Sequence, residues 1–315
     1  MSKRKLKIGV IGTGAIGSYY GIMLSQMGHE IHFLLHSSYQ EVKENGLLLK
    51  SEIHGDILLS SPQIYQSAED MPICEVVIVA LKTIQNETVL TEVLPYVTDD
   101  KTTVILIQNG MGMEQDMASL FTELQFAGAA ALIGCHKEKN GIIVHEGYGA
   151  IDFGSFNLKN TEILHQLSEE FTDFGIPSSV QDLTILRWKK LVWNMTFNGL
   201  SVALNSTTDI LLEKYEEKCR IIMDEVAKAA GSQGVIIPES FINGLIPFTR
   251  EMGSYSPSMK LDFENYRPME LEYIYERPIA AAKKSGIEMP QTSLLYHELW
   301  LLQKKHIAEK KLQQK

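Results

Sequence analysis

The chain has 315 residues, room for one large domain or two smaller ones. Apolar residues make up 44% and charged residues 22%, the balance of a folded protein with a real core, and the formal charge of −10 argues against nucleic-acid or anionic-membrane partners, which need a basic patch. Three scattered cysteines (Cys74, Cys135, Cys219) offer no zinc or redox spacing, and no apolar run approaches the roughly 20 residues that span a bilayer; the expectation is a cytoplasmic protein with no metal site and no membrane partner.

The start of the chain, "MSKRKLKIGVIG", is basic, but glycines interrupt its apolar segment and it leads straight into a motif, so it does not read as a signal peptide. The segment "KLKIGVIGTGAIGSYYGIMLSQMGHEIHFLL" predicts strand, glycine turn, helix and second strand. Gly12, Gly14 and Gly17 complete G-x-G-x-x-G, whose glycines serve a tight turn, close approach to a pyrophosphate, and packing of helix on strand. Gly12, Thr13, Gly14, Ala15, Ile16 and Gly17 are therefore expected to hold a dinucleotide at a helix N-terminus. An acid at the end of the second strand would favour NAD, but "LLHSSYQ" puts His36, Ser37 and Ser38 there. Without the acid a 2′-phosphate meets no repulsion, which favours NADPH; loop capping is the other use of these residues.

"CEVVIVALK" and "TTVILIQNGMG" are continuous apolar runs, as expected of parallel strands covered on both faces. They end in Lys82 and in Gln108–Asn109–Gly110, so Lys82 and Asn109 are expected to point toward the cofactor; Asn109 is equally well explained as a turn residue before glycine. "GCHKEKNGIIVHEGYGAIDFG" reads as antiparallel strands extending the sheet, with "KNG" as a hairpin signal, and His136 and His145 are read as structural. The expected domains are 1–180 and 181–315, with the boundary near residues 176–182 in "GIPSSVQDL".

The second half reads as helical. In "RWKKLVWNMTFNGL", Lys190, Asn194 and Asn198 recur every four residues, forming one polar stripe on a helix otherwise lined by Leu191, Val192, Trp193, Met195 and Phe197. Lys189 lies about 100° away around the helix and suits the surface. "TTDILLEKYEEKCRIIMDEVAKAAGSQG" predicts one long amphipathic helix ended by glycine. "PESFINGLIPFTREMG", "NYRPMELEYIYERPIAAAKKSGI" and a charged C-terminal helix follow, closing in a solvated tail. "SYSPSMKLDFENYRPMELEYI" sets Ser258, Asp262 and Glu270 around a turn entering a helix, where an acid is equally well explained as a partner of the helix dipole.

Together, "GTGAIGSYYG", "ALKT", "IQNGMG", "WKKLVWNMTFNGLSVALN" and "SPSMKLD…MELEYI" resemble the family of 2-dehydropantoate 2-reductases, or ketopantoate reductases, over essentially the whole chain. The resemblance implies NADPH-dependent reduction of 2-dehydropantoate to pantoate in the route to pantothenate and coenzyme A. It implies an α/β architecture, a Rossmann-type domain followed by an all-α domain of the 6-phosphogluconate dehydrogenase C-terminal type, with the active site in the cleft between them. By position it makes Lys190 the general acid, Asn194 and Asn198 substrate amides, and Asn109 a residue touching both substrate and nicotinamide. Ser258 would bind the substrate carboxylate, and Glu270 would be an acid near the reacting centre and the cofactor. The chain departs from the family at His36, often arginine; at "NGL", often "NPL"; at Pro257, often serine; and at Thr208, often an amide.

The chemistry suits the stripe. Hydride transfer to a ketone leaves an alkoxide, which needs a proton donor within reach, and a protonated lysine also stabilises the growing charge. Burial would lower its pKa toward working pH, and neutral amides can hold substrate without adding charge. A reductase of another small 2-oxo acid, or a non-catalytic NAD(P)-binding sensor, remains an alternative, and a homodimer is compatible with the sequence.

Overall fold

The computed structural model describes residues 4–138 and 141–313, and the chain divides into two compact units: Met1–Gln108 with Met113–Leu186, and Asn109–Gly112 with Arg187–Lys315. The four-residue turn after Gln108 thus groups with the helical half.

The first unit is built on β1 (Lys7–Ile11), α1 (Ala15–Gln26) and β2 (Glu30–Leu34), the expected strand–turn–helix–strand. Next come α2 (Tyr39–Asn45), β3 (Leu47–Ser51), β4 (Ile57–Leu59) and β5 (Gln63–Tyr65), strands too short for hydrophobic periodicity to announce. They are followed by β6 (Val76–Val79), α3 (Thr91–Val97), β7 (Thr103–Ile107) and α4 (Met113–Leu120). The unit closes with β8 (Gln125–Lys137), β9 (Ile143–Ser155), α5 (Glu162–Asp173) and β10 (Ser178–Val180). One ten-stranded sheet runs β4-β3-β9-β8-β7-β6-β1-β2-β5, with β10 on β9. From β5 to β8 all neighbours are parallel, and β6 and β7 are buried along their whole length. Strand order reverses beside β1, the switch point at whose carboxyl end such sheets place their ligands.

β8 and β9 pair antiparallel as expected, although Lys139 and Asn140 of the "KNG" turn lie outside the described residues. Two register shifts, at Leu132/Ile133 and Gly134/Cys135, mark bulges in this ribbon, and such irregularities bend a strand. His145 is fully buried, bonded through Nδ1 to Ser51 Oγ at 2.8 Å; His136 is half-buried on β8, with Nδ1 3.7 Å from Glu146.

The second unit is helical: α6 (Leu183–Trp193, its first turn lying in the other unit), α7 (Gly199–Ala203), α8 (Thr208–Lys214), α9 (Glu216–Ser232), α10 (Glu239–Glu251), α11 (Ser258–Glu264), α12 (Arg277–Lys284) and α13 (Pro290–Gln313). The single long helix expected from "TTDILLEKYEEKC" is two: the chain breaks at Tyr215, whose φ of −136° departs from helical geometry, between α8 and α9. Apolar periodicity continues through that break, so pattern alone does not reveal it. The unit's core gathers Trp188, Leu191, Met195, Phe197 and Leu200 with Ile222, Ile274, Tyr275 and Leu299. Among the described residues no helix is long and apolar enough to cross a membrane.

Candidate active site

The glycine turn is shaped by contacts no side chain would permit. Gly12 has φ 91°, and a Cβ there would stand 2.6 Å from the Leu81 nitrogen. At Gly17 a Cβ would come within 2.3 Å of the Gly12 carbonyl, so this glycine lets α1 close onto the turn. Gly14 differs: among the described residues nothing lies within 4 Å of the Cβ it lacks. Gly14 is the N-cap of α1 without a side-chain cap, and the first turn carries no acid, leaving Ala15, Ile16 and Gly17 at a positive dipole end. These features fit a pyrophosphate.

Around the turn, Thr13 Oγ1 donates to the Leu34 carbonyl at 2.9 Å, tying the turn to the end of β2. His36 is exposed in the following loop, and Lys82 is half-buried three residues past β6. The structure thus gathers Gly12 to Gly17 in one turn and sets His36 and Lys82 just past the strands flanking β1.

In the helical unit, α6 continues without interruption through a wide π turn, Asn194–Asn198, into α7. Lys190, Asn194 and Asn198 therefore ride on one continuous rail, but its last part has π rather than α geometry. Such insertions recur at functional sites and need a cause. Here the cause is Tyr275: its hydroxyl donates to the Met195 carbonyl at 2.7 Å and accepts from the Gly199 N–H, standing between two groups that an α-helix would pair with each other. Gly199 makes room for it, since a Cβ there would lie 2.2 Å from that hydroxyl. Burial drives the Tyr275 pKa far up, so the phenol stays protonated and keeps donating. Tyr275→Phe is expected to strand both backbone groups, lowering stability by about 1–3 kcal/mol and displacing Asn198, with a matching fall in turnover. Thermal unfolding and kcat check this; an unchanged melting temperature would release Tyr275 from the role.

The turn holds both amides inside: Asn194 and Asn198 are each 2% exposed. Asn194 Nδ2 donates to Asn109 Oδ1 at 3.2 Å. Asn109 is delivered by the turn 109–112, which docks on a second π turn, Glu272–Glu276. Met111 N–H donates to the Tyr273 carbonyl at 3.0 Å, Gly110 has φ 107°, and a Cβ on Gly110 would lie 2.6 Å from that carbonyl. Arg277 covers the Tyr273 ring at 4.1 Å and bonds the Gly112 carbonyl at 3.4 Å. Tyr273, Tyr275 and Arg277 were not singled out from the sequence; the only sequence signal was their place in "MELEYIYER".

Lys190 is half-buried, with Nζ 5.9 Å from the Trp193 ring, and desolvation lowers its pKa from 10.5 to about 8. Lys189 is also half-buried and lies 6.0 Å from Phe241. Ser258 is exposed on the first turn of α11, and Glu270 is buried just before the second π turn. α11 and the second π turn both pack on the amide-bearing turn, so Ser258 sits on one element flanking Asn194–Asn198 and Glu270 two residues before the other. Thr208 is used structurally: fully buried, its hydroxyl bonds the carbonyls of Gly253 (2.9 Å) and Tyr255 (3.3 Å), clasping the loop that leads to α11. Asp262 holds Arg267 at 2.8 Å.

A model of the family described as "Ketopantoate reductase PanE/ApbA" matches residues 8–157, and its C-terminal counterpart matches residues 182–303. A curated 2-dehydropantoate 2-reductase from Nostoc sp. (strain PCC 7120) is 39% identical over 310 residues, covering 96% of each chain. The crystal structure of 2-dehydropantoate 2-reductase from Geobacter metallireducens GS-15 aligns with a TM-score of 0.88 at 33% identity, covering 93% of this chain and 99% of its own. A D-mandelate dehydrogenase solved with NADH and anilino(oxo)acetate shares the fold, with a TM-score of 0.83 at 22% identity over 95% of this chain and 99% of its own.

Proposed function

The chain belongs to the ketopantoate reductase family, and from that premise we propose that it reduces 2-dehydropantoate to pantoate with NADPH, on the route to pantothenate and coenzyme A, with Lys190 as proton donor. What carries the reading is the helical rail: an amine drawn down to about pKa 8, followed on the same continuous helix by two buried amides, one of them bonded to Asn109.

The reduced nicotinamide, when bound, supplies the hydride. Lys190, protonated near neutral pH, stabilises negative charge gathering on the substrate's keto oxygen and passes its Nζ proton there. Because Asn194 Nδ2 is committed to Asn109 Oδ1, Asn194 presents Oδ1 as an acceptor and Asn109 presents Nδ2 as a donor. Those two faces suit a hydroxyl and a carboxylate or amide oxygen. Asn198 adds a further donor and acceptor, and Ser258 offers a hydroxyl to the carboxylate. Glu270 serves as an acid near the reacting carbon and the cofactor. Gly12 to Gly17, Lys82 and His36 bind the dinucleotide, and Asn109 also meets the nicotinamide. Three free cysteines fit a reducing cytoplasm.

The test is a panel of small 2-oxo acids, branched and aromatic, run with each nicotinamide coenzyme and followed by coenzyme absorbance. The highest kcat/KM is expected for 2-dehydropantoate with NADPH. A higher value for another 2-oxo acid would reassign the substrate, and no turnover with any would leave a dinucleotide-binding sensor. Asn198→Ala is expected to raise KM for the oxo acid about ten- to hundredfold at unchanged melting temperature, since a buried hydrogen bond to a charged ligand is worth roughly 1.5–3 kcal/mol. An unaltered KM would remove Asn198 from the substrate's contacts.

A further inference from the structure

In a dinucleotide-binding fold the adenosine ribose is read beside the first glycine turn and the end of the second strand, where an acid selects a free 2′-hydroxyl and a nearby cation accommodates a 2′-phosphate. Here the second-strand loop has no acid; His36 and Ser37 are exposed and Ser38 is half-buried. A cation comes instead from a distant part of the chain. β8 extends well beyond its pairing with β7, which stops at Ala129, and its far end carries the two bulges shared with β9. That end runs along the glycine turn: Cys135 Sγ donates to the Ala15 carbonyl at 3.8 Å. Two residues on, Lys137 Nζ donates to the Thr13 carbonyl at 3.3 Å and to Ser38 Oγ at 3.2 Å. One half-buried ammonium therefore joins the glycine turn to the second-strand loop.

We infer that Lys137, with Ser38, takes the 2′-phosphate of NADPH and so sets selectivity for NADPH over NADH; the inference rests on the NADPH reading above. Both bonds are at the long end of the hydrogen-bond range, so an anion can draw the ammonium without breaking a tight contact. A phosphate dianion would form a shorter, charge-assisted bond, strengthened where water is partly excluded. Burial lowers the Lys137 pKa, while the charge of Glu41, on α2, works against that shift and favours the protonated amine. An arriving phosphate would favour it further.

The experiment measures, by calorimetry on the whole chain, binding of NADPH and NADH and of 2′-phospho-ADP-ribose and ADP-ribose. The proteins are wild type, Lys137→Met and Lys137→Arg. Lys137→Met should weaken NADPH and 2′-phospho-ADP-ribose about ten- to hundredfold while NADH and ADP-ribose change less than about twofold. Lys137→Arg should retain most of the preference. Equal losses for phosphorylated and unphosphorylated ligands would mean that Lys137 only pins the turn to the loop, and no loss would put it outside the site; either result overturns the inference. The ratio within each variant is its own control for a weakened fold. A wild type that binds NADH as tightly as NADPH would defeat the coenzyme reading and this inference with it. A wild-type NADPH preference that persists in Lys137→Met would defeat the inference alone.

Discussion

Replacing Lys190 by methionine is expected to cut kcat by about 10²- to 10⁴-fold, the usual worth of a positioned proton donor, while NADPH affinity stays within about twofold. Methionine keeps most of the aliphatic stem but removes the ammonium, whose Nζ lies 5.9 Å from the Trp193 ring. The loss should therefore appear in turnover rather than in folding. The pH profile gives an independent reading. The Lys190 pKa is lowered from 10.5 to about 8, and a proton donor works only while protonated. Reduction should thus be level below pH about 8 and fall about tenfold per unit above it, and oxidation of the hydroxy acid, which needs the free amine, should rise about tenfold per unit up to pH about 8 and level off above it. In the variant this inflection should vanish. Near-normal turnover, or an inflection that survives the substitution, would take the proton-donor role away from Lys190.

The second large effect is expected at the glycine turn, where two alanine substitutions should fail differently. In Gly12→Ala, the new methyl would meet the backbone just past the end of β6, 2.6 Å from the Leu81 nitrogen and 2.7 Å from the Ala80 carbonyl carbon, at a φ of 91° that L side chains rarely adopt. Strain alone costs roughly 1–2 kcal/mol, and neither backbone segment can yield without displacing β1 or the residues after β6. A marked loss of stability and of all dinucleotide binding is expected. Gly14 has an ordinary φ of −82° and, among the described residues, nothing within 4 Å of its missing Cβ, so Gly14→Ala should melt with wild type. If a pyrophosphate lies against this glycine, a methyl group there holds it off, and affinity for both coenzymes should fall at least about tenfold. Unchanged affinity in Gly14→Ala would move the pyrophosphate off the turn. Calorimetric titration beside a thermal melt separates the cases.

Much of this was legible in the chain. Gly12, Gly14 and Gly17 sit at fixed spacing between a β-rich run and a helical period, a local pattern whose physics needs no distant partner. The apolar runs of β6 and β7 announced buried parallel strands, and the apolar surroundings of Lys190, Asn194 and Asn198 announced a helical segment carrying all three. Other features have no local signature. The break at Tyr215 hides inside a continuing apolar period, and β3, β4 and β5 are too short to show one.

The sequence by itself therefore determined the strand–turn–helix that suits a dinucleotide and the helix carrying a lysine and two amides, because both depend on residues close together along the backbone. Tertiary structure alone decided how those amides are held. The Tyr275 hydroxyl, 80 residues beyond the Met195 carbonyl it bonds, opens the helix into a wide turn, and the segment 109–112 groups with the helical unit to bring Asn109 against Asn194. Tertiary structure alone also set Lys137 on Thr13 and Ser38, contacts spanning 124 and 99 residues. The physical reason is common to all three. Each contact closes a long loop of chain, is stabilised only once the surrounding core has formed, and leaves no periodicity in the residues that make it.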